Sequence, residues 1–157
     1  MKNFMTRRTA REILIKIFYQ TDVNGDSDSA EYLERVGKED DLKEYISTCD
    51  IDEDAKVTDT GEQMNFIKKV SYAWDMHRSE IDEKIAEYAI NWKLERIAKM
   101  DLAILREAAA EIIYIDDVPC AVTINEAVEL AKLYGTERAP KFINAVLGKI
   151  AGECENE

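Results

Sequence analysis

Apolar residues recur three and four positions apart along most of this chain, and period-two alternation is scarce, so the pattern predicts helices rather than strands. The first helix is expected from about Arg7 to Gln20. Thr6 is placed to cap its start, and Ala10, Ile13, Leu14 and Ile17 form its apolar stripe, with Phe18 at the edge. Asn24-Gly25-Asp26 supplies the turn that ends it. Residues 26–60 are weakly patterned. Two short amphipathic pieces stand out there, Tyr32, Leu33 and Val36, then Leu42, Tyr45 and Ile46, with Gly37 between them. Residues 48–60 read as an exposed loop.

The rest of the chain carries stronger periodicity. Thr60 and Gln63 have the spacing of a capping box, opening a helix with Met64, Ile67, Val70, Ser71 and Trp74 on one side. Ser79 followed by Asp82 reads as a second helix start, and Ile81, Ile85, Tyr88, Ala89 and Trp92 line that helix. A break near Asn91–Leu94 leads to a long helix with Ile97, Met100, Ile104, Leu105, Ala108, Ile112 and Ile115. Asp116-Asp117-Val118-Pro119 ends it, because the residue before proline resists the α region. Ile124, Ala127, Val128, Ala131 and Tyr134 mark the next helix, with Gly135 as its stop. Pro140 fits the first turn of the last helix, which packs Ile143, Val146, Leu147 and Ile150. The expected class is all-α, a compact bundle of about seven helices.

Charge changes the picture by where it sits. The 157 residues carry a net −12, which argues against a non-specific nucleic-acid binder. Residues 1–20 are nevertheless +4, residues 21–62 are −11 and residues 63–157 are −5, so a short basic head joins an acidic body. The stretch over 22–60 reads as an acidic insertion. On a helical wheel Arg7, Arg8 and Arg11 fall within about 100° of arc, away from the apolar stripe. Three guanidiniums beside free N-terminal amides suit a phosphate backbone. Ile15 and Tyr19, four residues apart, extend the same face as a protein-contact surface. The competing reading is a solvated basic face, with Ile15 and Tyr19 packed under the acidic insertion.

Other constellations are weaker. His77 stands without a second histidine or a nearby cysteine and reads as a helix-end surface residue. Asp22, Asn24, Asp26 and Asp28 miss the calcium-loop pattern at Ser27 and Leu33. No glycine-rich phosphate loop and no nucleophile–base spacing is present, so neither an enzyme nor a metal or cofactor site is expected. Three distant cysteines, Cys49, Cys120 and Cys154, fit a reducing cytoplasm better than a disulfide framework. No signal peptide or membrane span is expected. Trp74 and Trp92 lie on apolar stripes and read as core. Phe142 sits at the edge of its stripe beside Lys141, a place that suits either a stacking contact or ordinary core.

Four blocks in order carry a family resemblance: Arg7-Arg8-Thr9-Ala10-Arg11-Glu12 closing with Phe18-Tyr19-Gln20; Asn91-Trp92, Glu95-Arg96-Ile97, Ile104-Leu105-Arg106 and Glu111-Ile112; Val118-Pro119 and then Val122 through Lys132; and Lys141 through Leu147. With these blocks the chain resembles the NusB family of bacterial transcription antitermination factors. The resemblance covers residues 6–20 and roughly 85–150, and weakens across 22–75. It implies two packed helical subdomains, here 1–78 and 79–152; the tail at 153–157 reads from the sequence as frayed. It implies binding of boxA RNA as a heterodimer with NusE, a small-subunit ribosomal protein, within the RNA polymerase antitermination complex that reads through terminators, notably in ribosomal RNA operons. Carried over by position, Lys2, Arg7, Arg8, Arg11, Arg106, Lys141 and Phe142 are RNA contacts, and Tyr19, Asp101 and Phe142 are NusE contacts. Arg138, beside Lys141, departs from the family pattern and is expected to add phosphate attraction. The same fold also occurs fused to an RNA cytosine methyltransferase, and no such domain is expected here. The competing function is a protein-only adaptor or a homodimeric helical scaffold.

Overall fold

The computed structural model describes residues 4–25, 28–36, 58–90 and 92–155. Lys2, Cys49, the amphipathic piece at Leu42–Ile46 and most of the acidic stretch lie outside them. Among the described residues there are six α-helices: α1 (Arg7–Asn24), α2 (Ser29–Val36), α3 (Thr60–Tyr88), α4 (Lys99–Tyr114), α5 (Cys120–Tyr134) and α6 (Ala139–Glu155). A 3-10 turn at Leu94–Arg96 precedes α4. Among the described residues one antiparallel pair of two-residue strands accompanies the helices, β1 (Phe4–Met5) with β2 (Thr58–Asp59), in the register Phe4↔Asp59 and Met5↔Thr58. All-α architecture follows as expected, and α3 counted as two arms makes seven helices.

Local chemistry sets the helix ends. The Thr6 side chain accepts from Thr9 N–H (3.0 Å), capping α1 as its sequence position predicts. α1 runs four residues past the expected Gln20, to Gly25, whose φ of 74° is the left-handed cap that glycine adopts without steric cost. The start of α2 is capped from outside. Asp75 on α3 accepts from the backbone N–H groups of Ser29 and Ala30 (both 2.9 Å), and its charge opposes the positive helix end.

α4 is the central helix and packs against α1, α3, α5 and α6. Its buried face includes Ile104, Leu105 and Ala108, and apolar side chains from all six helices join one continuous core. The helix start expected at Ser79 falls two residues past a break: α3 is two helical arms that meet at His77, whose φ of −128° and ψ of 21° are not helical. The His77 ring stacks on Tyr114 (4.1 Å, 9°), and both side chains hydrogen-bond Glu80. Gly135 stops α5 as expected, in an extended conformation (φ −88°). Finally, residues 153–155 are not frayed, since α6 continues to Glu155 and Glu153 accepts from Lys84 and the Tyr88 hydroxyl.

Candidate nucleic-acid interface

Each arginine of the basic head meets a different environment. Arg7 lies with its guanidinium 4.0 Å over the Phe66 ring and donates from Nε to Gln63 Oε1 (2.6 Å). Arg8 forms a two-pronged ion pair with Glu126 on α5 (2.8 and 3.0 Å). Both remain partly accessible, with 31% and 27% of the side chain exposed. Arg11 is different. Only 3% of its side chain is exposed, and it makes two 2.9 Å bonds to Glu111, which is fully buried. Arg11 is therefore corrected from RNA contact to core strut. Burial is the largest single influence and disfavours its charge, yet the hydrogen bonds to Glu111 together with the charges of Glu111, Glu107 and Glu126 outweigh it, and its pKa is raised.

Ile15 is also corrected. It is wholly buried, so it offers no surface to a partner. The wheel failed because α1 is covered by α2, α3 and α4 together, leaving only a narrow solvent strip. Along that strip lie Arg8, Lys16 and half-buried Tyr19. Lys16 is a cation that the sequence reading missed, two turns below Arg8. Its ammonium stands 5.7 Å from the Tyr134 ring, while the Tyr134 hydroxyl donates to buried Glu12 (2.9 Å). Contacts from Arg8 to Glu126 and from Lys16 to Tyr134 run α1 alongside α5, towards the turn at 135–138.

That turn is held from beneath. Thr136 donates from N–H (3.1 Å) and Oγ1 (2.8 Å) to the two carboxylate oxygens of Asp101. Asp101 is 5% exposed, so it is corrected from partner contact to anchor of the turn. Beyond it, Arg138 and Lys141 stand exposed, and Phe142 is half-buried. Arg106 does not join them. Its guanidinium bridges Asp82 (2.9 and 3.0 Å) and Asp22 (3.6 Å) and lies 4.9 Å from the Trp74 ring, clamping α1, α3 and α4 together. This corrects its assignment as an RNA contact. Trp74 is core as expected. Trp92 is not: it is 48% exposed and faces Phe142 at 6.2 Å.

Beneath the basic strip, Glu107 faces the Arg11–Glu111 pair. Burial first, and then the charge of Glu111, push its pKa well above the ordinary 4.5. A carboxyl that keeps its proton longer in the folded state loses stability as pH rises above its unfolded value. Glu107→Gln is thus expected to flatten the fall in melting temperature between pH 5 and pH 8. An unchanged pH profile in thermal unfolding rejects this.

Among the described residues no helix is long and apolar enough to cross a membrane. The family described as NusB matches residues 8–152. A transcription antitermination protein NusB from Alkaliphilus oremlandii is 39% identical over 145 residues, 92% of each chain. NusB of T. maritima superimposes with a TM-score of 0.74 at 31% identity, covering 98% of this chain and 94% of that one. A chain from a crystal structure of antitermination factors NusB and NusE in complex with dsRNA shares the fold, with a TM-score of 0.69 at 24% identity over 94% of this chain and 96% of its own. The chain belongs to the NusB family.

Proposed function

We propose that this protein is a transcription antitermination factor that binds boxA-type nascent RNA together with NusE and so promotes read-through by RNA polymerase, notably in ribosomal RNA operons. It acts by binding, without catalysis, in the cytoplasm. The observation that carries the reading is a set of cations left partly or fully accessible on an acidic chain: Arg7 and Arg8 at the start of α1, Lys16 two turns on, and Arg138 and Lys141 at the start of α6. RNA phosphates bind such cations by releasing counterions, so affinity falls with salt. Tyr19 on the solvent strip of α1 supports a NusE contact. The homodimeric alternative drew on an exposed Ile15, and that side chain is in the core.

Fluorescence anisotropy of a boxA-type RNA tests this. Wild type is expected to bind, and NusE to tighten the binding. Coupling between the two ligands is reciprocal, so RNA tightens NusE by the same factor. Arg7→Ala/Arg8→Ala is expected to reduce the slope of log affinity against log salt by about one to two. Arg138→Asp is expected to weaken binding further. RNA affinity unchanged in all these variants, or unaffected by NusE, rejects the proposal.

A further inference from the structure

Trp92 is a large aromatic side chain left half in solvent shortly after α3. Its backbone N–H donates to Ala89 O (3.0 Å). The 3-10 turn at Leu94–Arg96 follows, and buried Ile97 pins its end. The indole projects from the segment just before this 3-10 turn. It forms one wall of a groove of about 1050 Å³, with Phe142 tilted at 57° opposite and Ala145 also lining it. Arg96, Arg138 and Lys141 line the same groove, all exposed, and none makes an ion pair among the described residues. The acids in the lining are Glu137, which is exposed, and Asp101, whose oxygens are taken by Thr136. Outward charge at the groove is thus cationic on a chain of net −12.

Two aromatic faces ringed by three uncommitted cations fit one chemistry: flat, neutral rings linked by phosphates. Duplex RNA hides its base faces, so the strand must be single. Resting on the RNA-binding reading above, we infer that the Trp92–Phe142 groove receives an unstacked base of single-stranded RNA, with the indole of Trp92 as the stacking platform and Arg96, Arg138 and Lys141 on the flanking phosphates. Thr136, Glu137 and Arg138 of the turn after α5 line the groove, so the same turn that Asp101 anchors forms part of its wall. Trp92 and Arg96 thereby become RNA residues, and Trp92 supplies base-face recognition that arginines on phosphates do not.

The test uses the full chain and a fluorescein-labelled single-stranded boxA-type RNA. Trp92→Ala is expected to weaken binding by about tenfold, the scale of one lost base–aromatic stack. Trp92→Tyr is expected to restore most of the loss, and neither change should alter the salt slope, because no phosphate contact is removed. In wild type, one abasic position in the RNA should reproduce the loss, and that position should cost nothing further in Trp92→Ala. Wild-type affinity in Trp92→Ala overturns the inference. So does a loss confined to NusE binding, which makes the groove a protein dock. If wild type itself fails to bind the RNA, the proposed function falls and the inference with it.

Discussion

Arg11→Ala is expected to destabilise the fold by about 3–5 kcal/mol, the scale of breaking one partner out of a buried ion pair. Glu111 is fully buried, and besides its two bonds to Arg11 it is met by the Thr123 hydroxyl (3.3 Å) and the Glu107 carboxyl. Alanine leaves a desolvated carboxylate beside Glu107, with no cation to compensate. Denaturant unfolding measures the loss directly. Replacing both partners, Arg11→Met with Glu111→Leu, should recover most of it, because apolar packing avoids the desolvation penalty altogether. The double variant should also bind RNA as wild type does, since Arg11 has no surface to offer. A stable Arg11→Ala protein that has lost RNA binding would falsify the strut assignment and return Arg11 to the interface.

The second large effect concerns Gly135. A Cβ there would lie 2.8 Å from Asp101 Oδ1, 2.9 Å from Ala131 O and 3.0 Å from Ala139 Cβ. Two of these neighbours are fixed by helices, and the third is the anchor of the turn. Gly135→Ala is expected to cost about 1–3 kcal/mol, as overpacking of a close contact does. It should also disturb the Asp101–Thr136 bonds that hold Arg138 in place. RNA affinity should therefore fall together with the melting temperature, although no RNA-facing side chain has been changed. A wild-type melting temperature and affinity would rule out the steric reading. Asp101→Ala provides the comparison: it loosens the same turn without adding an atom.

Much of the fold was legible because helix ends are local chemistry. Thr6, Pro119 and Gly135 mark boundaries within a few residues wherever one looks for them. The candidate site was legible only in part, for a tertiary reason. A wheel sorts residues into one buried and one exposed face, but α1 is enclosed on several sides. Arg11 and Ile15 therefore lie buried despite standing off the main stripe. The opposite error befell Trp92. It continues the apolar period of the helix before it, yet that helix has ended at Tyr88, and the indole turns outward. Arg106 and Asp101 were assigned by family position. Their side chains are taken up by Asp82 and Thr136, partners 24 and 35 residues away that no local pattern could reveal.

The short β1–β2 clasp joins the residues just before α1 to those just before α3, so both helices start from one fixed point. It thereby ties Arg7, in the first turn of α1, to Gln63 and Phe66, in the first two turns of α3, which hold its guanidinium. Two ladder partners more than fifty residues apart in sequence thus set where the first arginine stands, and a slip of one residue in their register would shift that guanidinium relative to its cradle.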